Sequence, residues 1–499
     1  VNGGDMTDSM KTHNMEQRIT AIRARLKRLS TEQEKLEQEL HELLLIRQRT
    51  ISSWSPPART SDQYPPDKKI RIFRSLFRGR EDVFPRRFES MKTGKSGYQP
   101  VCTNEWRRGI CSKPKIKCSE CQYREWVPVS DDIIEKHLRG SDERGHDFTI
   151  GVYPMLEDET CFFLAVDFDK QNFREDVQAF LLTCRRFNIP AALERSRSGN
   201  GAHVWIFFTS PIPARTARRL GCFLLTETME SRPELGFESY DRFFPNQDTM
   251  PQGGLGNLIA LPLQAKPRQR GNSVFLDDAM TPYPDQWKFL AGIRKMQPAE
   301  VETLAAQAVE SGRVTAGKMP ILEEDEVPWE QPPSRRRKEK DLAVGLTKPL
   351  EIVIENEIYF TKAQLTPKLQ TALLRLAAFQ NPEFYHAQAM HMPTYDKPRI
   401  ICCAEDFPNY IGLPRGSADD IVTLLVENKI RYTVSDKRNR GKPQKFAFQG
   451  KLRPEQEKAA IALLKNDLGV LSASTAFGKT VVAIYLLAKR ATNTLRTYP

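Results

Sequence analysis

Hydrophobic positions follow a seven-residue repeat near the start of the chain. Its two seams are formed by Ile19, Leu26, Gln33 and Leu40 and by Ile22, Leu29, Leu36 and Leu43. Charged residues fill most other positions, so the pattern predicts a coiled coil over residues 15–50, after a disordered tail at 1–14. Such a coiled coil would join two copies of the chain in a homodimer. A single amphipathic helix lying on its own protein is the alternative.

Mixed apolar patterns typical of α/β domains occupy residues 70–315 and 346–447. Segments rich in Pro, Ser and charge at 51–69 and 316–345 separate these regions and are typical of linkers. No run reaches the ~18 apolar residues of a membrane-spanning helix, and the first residues lack the apolar segment of a signal peptide. We therefore expect a cytoplasmic protein with no membrane partner.

The charge balance indicates the kind of partner. The chain has 75 Lys and Arg against 63 Asp and Glu, which gives a net charge of +12 and a pI of about 9.2. Such a basic protein is suited to bind an acidic polymer, and nucleic acid is the leading candidate. A basic surface that serves solubility alone is the alternative.

Four of the nine cysteines lie within twenty residues. They are Cys102, Cys111, Cys118 and Cys121, in the segment CTNEWRRGICSKPKIKCSEC. Four thiolates would give one tetrahedral Zn²⁺ no open position, so the cluster predicts a structural zinc module over residues 100–125. Four unligated thiols are the alternative, and His137 could replace one ligand.

A pair of carboxylates follows an apolar, strand-like run in TCFFLAVDFDK, residues 160–170. Side chains two positions apart on a strand point to the same face, so Asp167 and Asp169 would face one side and Phe168 the other. Neighbouring carboxylates at the end of a buried strand repel each other unless cations neutralise them. The pair therefore predicts a divalent-metal site of the kind that supports phosphoryl or nucleotidyl transfer.

Two further motifs follow along the chain. SRSGNGAHVWIFFTSP, at 196–211, joins a glycine-rich turn to an apolar strand. Its backbone N–H groups and His203 could bind a phosphate, although an ordinary hairpin has the same pattern. FESYDRFFPNQD, at 237–248, places Asp241 in a short strand-like stretch where it could complete a three-carboxylate metal site. The competing Asp248 fits a turn beside Pro245.

In this order the three motifs resemble those of the archaeo-eukaryotic primase superfamily. Further stretches, including GREDVFPRRF, GVYPML and GNSVFLDD, resemble the primase domain of bacterial TOTE conflict-system proteins. The resemblance covers about 70–315 and continues from about 346 to the C-terminus. It implies an α/β (α+β) class: an archaeo-eukaryotic primase fold with an RRM-like catalytic half and a zinc-binding module. A coiled coil would precede this fold, and a partial RecA-like helicase domain would follow it.

The resemblance also implies roles for individual residues. Asp167, Asp169 and Asp241 would be catalytic and hold two Mg²⁺ or Mn²⁺ ions. Nucleotide binding, of an NTP or a dNTP, would fall to Ser198, His203 and Arg197. Further candidates for nucleotide or template contacts are Asn257, Lys266 and Arg268. The implied activity is that of a DNA-directed primase–polymerase, which makes or extends primers on a single-stranded DNA or RNA template and acts in defence against mobile elements.

The segment at 452–490, which includes SASTAFGKT, resembles the opening of a superfamily 2 helicase. Lys479 and Thr480 would contact the β- and γ-phosphates and Mg²⁺. Nineteen residues follow Thr480, and they leave no room for a Walker B acid or a second RecA-like domain. We therefore expect residues 448–499 to be the truncated start of a helicase without helicase activity of its own.

Two other functions stay open on the sequence alone. One is a non-catalytic scaffold that binds nucleic acid, which salt-dependent binding without nucleotide incorporation would favour. The other is an ATP-binding helicase fragment, which ATP hydrolysis lost in Lys479→Ala would favour.

Overall fold

The computed structural model of the protein describes residues 64–494 apart from 90–93, 114, 117, 170–171, 252, 311–341, 347 and 395. The predicted tail and coiled coil and most of both linkers lie outside the described residues. The predictions of a disordered tail, a coiled coil and two linkers therefore stay predictions.

The first region, residues 64–310, mixes short strands with helices. Its strands are β1 (Pro85–Glu89), β2 (Ser96–Pro100), β3 (Gly151–Val152), β4 (Thr160–Phe168), β5 (Ala192–Arg195), β6 (Ala202–Pro213), β7 (Phe243–Phe244), β8 (Ile259–Ala260) and β9 (Val274–Leu276). Its helices are α1 (Pro66–Leu76), α2 (Asp131–Arg139), α3 (Phe173–Arg186), α4 (Ala214–Met229), α5 (Ala265–Arg268), α6 (Gln286–Ala291) and α7 (Pro298–Glu310).

A five-stranded antiparallel sheet lies at the centre of this region, in the order β7-β4-β6-β5-β9. The chain runs β4-α3-β5-β6-α4-β7, which is the βαββαβ succession of ferredoxin-like folds. This arrangement agrees with the predicted RRM-like half, and the mixed α/β class is confirmed. β1 pairs with β2 and β3 with β8 in two smaller sheets.

Both faces of the central sheet are covered. On one face, the ring of Phe77, just after α1, lies 5.0 Å from that of Trp205 on β6. On the other face, Phe180 of α3 lies 5.4 Å from Phe168 of β4. Because the sheet is buried on both sides, β4 and β6 are apolar along most of their length. Polar side chains such as Asp167 at one end of these strands therefore stand out as a candidate site.

The second region begins at residue 342 and has its own core. Its strands are β10 (Leu350–Ile354), β11 (Ile358–Thr361), β12 (Ala378–Gln380), β13 (Ile400–Cys402), β14 (Glu405–Asp406), β15 (Tyr410–Leu413) and β16 (Tyr432–Asp436). Its helices are α8 (Pro367–Leu376), α9 (Pro382–Ala389), α10 (Ala418–Glu427), α11 (Pro454–Leu464) and α12 (Lys479–Arg490). Five strands form one sheet, in the order β14-β15-β11-β10-β16, and β12 pairs with β13.

The two regions contact each other directly. The Thr371 hydroxyl of α8 donates to the Met229 carbonyl at 2.6 Å, and both residues are buried. Ala378 and Ile400, from the β12–β13 pair, belong to the apolar core of the first region. No helix in the described part of the chain is long and apolar enough to cross a membrane.

Candidate active site

Asp167 and His203 face each other across the two central strands. They are direct partners in the β4–β6 register, with His203 Nε2 3.6 Å from Asp167 Oδ1. They share the sheet face of Trp205 and Phe207, because residues two apart on β6 point to one side. Two motifs that lie 36 residues apart therefore meet at one end of the sheet.

Glu194 on β5 completes this row, although no sequence motif marked it. It is 2 % exposed, and its Oε2 accepts hydrogen bonds from Trp205 Nε1 at 2.9 Å and from His203 Nδ1 at 3.0 Å. Burial by itself lowers the pKa of His203, but Glu194 and then Asp167 outweigh it and raise that pKa above its usual value. The imidazole is thereby oriented and biased toward its cationic form.

Asp169 stands just beyond the end of β4 and pairs with Arg242. Its side chain is about half exposed, whereas that of Asp167 is 27 % exposed. The Asp167 N–H donates to the Arg242 carbonyl at 3.0 Å, which extends the β4–β7 pairing by one residue. Arg242 therefore supplies a positive charge to Asp169 but not to Asp167.

Asp241 lies in the adjacent chain segment, but within the described residues its side chain forms no ready metal-binding group with Asp167 and Asp169. It ends a 3₁₀ helix, Phe237–Asp241, rather than lying in the predicted strand. Its Oδ1 accepts the Arg399 N–H at 3.0 Å. Burial raises its pKa, and the cations Arg399 and Arg218 oppose that rise. Arg399 is in the second region, and sequence reasoning missed it.

Asp248, which the sequence predicts to lie in a turn, is buried. Its Oδ1 accepts Arg218 Nε at 2.6 Å, and its Oδ2 accepts Gln388 Nε2 at 3.1 Å. Burial raises its pKa, but Arg218 and Arg399 outweigh this and hold the pKa below its usual value. This carboxylate is neutralised by the protein and serves as a structural anchor.

The glycine-rich turn between β5 and β6 lies against the end of β4. Ser198 Oγ accepts the Asn200 N–H at 3.2 Å, which shapes the turn. A Cβ at Gly201 would lie 2.7 Å from the Phe168 carbonyl oxygen, so only glycine allows this approach. The turn that carries Ser198 is therefore close to the carboxylate pair, and phosphate binding by this turn stays a prediction.

A basic cavity lies on the other side of this turn. Arg87, Arg197 and Lys266 line it together with Asp147 and Thr149. Burial and then the neighbouring Arg87 lower the pKa of Arg197. Two guanidinium groups held so close favour an anion between them.

The remaining candidates for nucleotide or template contacts differ in their surroundings. Lys266 is exposed and donates to Asp147 at 2.6 Å. Arg268 donates to the Leu263 and Leu138 carbonyls. Asn257 bridges the Phe243 carbonyl and the Asn246 N–H. Arg268 and Asn257 thus hydrogen-bond to the backbone, whereas the exposed Lys266 is paired with Asp147.

The four clustered cysteines are free thiols that line one cavity, beside Lys113 and Trp126. Within the described residues, however, no three His, Cys, Asp or Glu side chains are arranged to hold a metal ion. His137 is buried outside this cavity, with Nε2 2.9 Å from the Pro262 carbonyl and Nδ1 accepting the Ile150 N–H at 3.2 Å. Both of its ring nitrogens are engaged, so zinc ligation by the four cysteines alone stays the prediction.

The SASTAFGKT loop, at residues 472–480, is closed on itself through Lys479. Lys479 Nζ donates to the Ala473 carbonyl at 2.9 Å and to the Ser474 carbonyl at 3.0 Å. Thr480 follows in the first turn of α12. Residues 448–494 contain two helices and, among the positions that the structure describes, no strand. Nucleotide binding by Lys479 and Thr480 stays a prediction.

Comparison with known proteins bears on the first region. Residues 68–304 match the family model described as TOTE conflict system, Archaeo-Eukaryotic Primase domain. The match confirms the resemblance inferred from the sequence motifs. No curated protein compared with the chain matches it. The matched range contains the Asp167–His203 pair, the cysteine cluster and Asp241, but it ends before Arg399.

Proposed function

We propose that the chain is a template-dependent primase–polymerase, because its residues 68–304 match the family model of the archaeo-eukaryotic primase domain of TOTE conflict systems. It would make or extend primers on a single-stranded template from NTPs or dNTPs. The observation that carries this proposal is the pairing of Asp167 with His203 across β4 and β6, next to the glycine-rich turn. The net charge of +12 supports binding to a nucleic-acid template.

The donor set at the end of β4 suits divalent cations. Carboxylate oxygens are the ligands that Mg²⁺ and Mn²⁺ prefer, and Asp167 and Asp169 present two carboxylates at i and i+2. Arg242 now opposes the charge of Asp169, as a bound cation would. Asp241 would add a third carboxylate from the neighbouring segment, and we return to its placement below.

In the proposed reaction, a 3′-hydroxyl gives up its proton to solvent and attacks the α-phosphorus of the bound nucleotide. The new O–P bond forms as the bond from the α-phosphorus to the oxygen shared with the β-phosphorus breaks, and pyrophosphate leaves. Divalent cations would activate the hydroxyl and neutralise the triphosphate charge when bound. His203, oriented by Glu194, would donate from Nε2 to a phosphate oxygen. Arg197 and Ser198 would hold the triphosphate from the turn, and the cavity of Arg87, Arg197 and Lys266 would attract its distal charge.

The first prediction concerns the carboxylate pair. Asp167→Asn and Asp169→Asn should each lower nucleotide incorporation on the order of 100-fold, the scale seen when one electrostatic stabiliser is removed. The assay would use the purified full chain, a single-stranded DNA or RNA template, NTPs or dNTPs, and Mn²⁺. Asp278→Asn, an exposed carboxylate of the same region, is the matched control and should leave incorporation unchanged.

Equal product from the wild type and both Asp variants would show that this carboxylate pair is not the catalytic centre. Salt-dependent binding of template without any incorporation would instead support a nucleic-acid-binding scaffold.

A further inference from the structure

The loop that carries Asp241 is held by the second region of the chain. We call residues 241–250 the Asp241 loop, and residues 388–394 and 396–399 the seat. Hydrogen bonds join the loop to the seat at Asp241–Arg399, Asn246–Arg399, Gln247–Thr394, Asp248–Gln388, Thr249–Gln388 and Met250–His391. The partners lie 139 to 158 residues apart along the chain. So many contacts between a short loop and one remote segment indicate a specific fit.

Arg399 is the central residue of the seat. It is 2 % exposed, its guanidinium lies 4.3 Å from the Phe384 ring, and it donates to the Asn246 carbonyl. Its Nε and Nη1 are both buried and have no hydrogen-bond partner among the described residues. A buried cation with unused donors is costly in a site that serves packing alone. The attraction between the Arg399 cation and the neighbouring carboxylates Asp241 and Asp248 offsets this cost.

The loop and the seat meet beside the candidate active site. Arg242, one residue after Asp241, accepts the Asp167 N–H through its carbonyl and pairs with Asp169 through its side chain. A shift of the Asp241 loop would therefore move the main chain next to both catalytic candidates. The seat thus holds the chain segment that links Asp241 to the main chain beside Asp167 and Asp169.

We propose that Arg399 is a positioning residue for Asp241, so that the catalytic unit extends beyond residues 68–304 into the second region. This inference rests on the proposed function, because it takes Asp241 as a metal ligand. Arg399 fixes the loop through its backbone N–H on Asp241 and its side chain on Asn246. Loss of the guanidinium would release the loop and weaken the metal site without removing any ligand.

The test is Mn²⁺ binding to the full chain, measured by electron paramagnetic resonance, beside nucleotide incorporation. Arg399→Ala should weaken Mn²⁺ binding about tenfold, the scale of residues that orient metal ligands, and Arg399→Lys should restore part of the loss. Thr394→Val, which removes one seat contact at nearly constant volume, should give a smaller loss. Arg431→Ala, an exposed arginine of the same region, is the matched control, and thermal unfolding would verify that each variant is folded.

Unchanged Mn²⁺ binding in folded Arg399→Ala and Thr394→Val would overturn the proposal, and so would tighter binding or an Asp241→Asn variant that binds Mn²⁺ like the wild type. Absence of incorporation by the wild type would refute the proposed function, yet the binding measurement would still decide the role of Arg399. If Asp167→Asn abolishes incorporation while Arg399→Ala matches Arg431→Ala in both assays, the proposed function stands and this inference fails.

Discussion

Buried ionisable side chains in the first region are satisfied in two different ways. The Glu194 carboxylate accepts hydrogen bonds from two side chains, those of His203 and Trp205. His137 instead stays neutral, since one ring nitrogen donates to a carbonyl and the other accepts an N–H. The first arrangement orients a group toward the candidate active site, and the second joins α2 to the backbone near β3 and β8.

A pH dependence of stability follows from His137. Burial lowers its pKa to about 4, so the native state keeps the neutral ring while the unfolded chain, with a pKa of 6.5, takes up a proton. Its contribution is fully present above about pH 6.5 and is lost as the pH falls toward 4. The difference of about 2.5 pKa units corresponds to on the order of 3 kcal/mol.

Urea unfolding between pH 7 and pH 4 would measure this contribution. The unfolding free energy of His137→Gln should fall less steeply with acid than that of the wild type. His146→Gln, an exposed histidine on the following loop, serves as the control and should keep the wild-type slope. Parallel slopes for the wild type and His137→Gln would contradict the assignment.

At the scale of elements, the candidate site depends on how closely the β5–β6 turn approaches β4. Gly201 lies under the Phe168 carbonyl oxygen, and a methyl group there would also come within 3.3 Å of Asp169 Cα. Both contacts are with backbone atoms, and these cannot move aside as the end of a flexible side chain can. The position of the turn therefore depends on the position of the backbone at Phe168 and Asp169.

Gly201→Ala should destabilise the protein by about 1–3 kcal/mol, the usual cost of overpacking. It should also lower nucleotide incorporation, because the turn would be pushed away from Asp169. Gly416→Ala, where an added Cβ meets open space, is the control and should change neither property appreciably. Chemical denaturation and the primer assay would measure the two effects, and a fully active Gly201→Ala would refute the linkage.

At the scale of the whole molecule, a buried ion pair lies where the two regions meet. Arg218 of α4 and Asp248 of the Asp241 loop are both less than a tenth exposed, and Gln388 of the second region completes their hydrogen bonding. Removing one partner of such a pair leaves an uncompensated charge in the interior. The pair thus couples the folding of the loop to the presence of both regions.

Asp248→Ala should lower the free energy of unfolding by about 3–5 kcal/mol, because Arg218 would lose its counter-charge. The double variant Arg218→Met/Asp248→Leu should lose less, since it leaves no buried charge. Urea unfolding of the three proteins would compare these values. If Asp248→Ala has the same free energy of unfolding as the double variant, then the unpaired charge of Arg218 does not destabilise the protein.

Local signals in the sequence were sufficient for the central part of the site. An apolar run ending in Asp167 and Asp169 predicted β4, and the glycine-rich turn before His203 predicted the start of β6. These patterns depend on side chains a few residues apart, so they can be read from the chain alone. Glu194 escaped notice because one acid in a four-residue strand has no distinctive spacing.

The sequence by itself determined the mixed α/β class, the resemblance of residues 68–304 to archaeo-eukaryotic primases and the strands that bear Asp167 and His203, because periodicity and motif order are local properties. Only the tertiary structure decided that Glu194 orients His203, that Asp248 is a buried anchor, and that Asp241 meets Arg399. The last pairing joins residues 158 positions apart. Contacts over such separations depend on how whole elements pack, and no spacing along the chain records them.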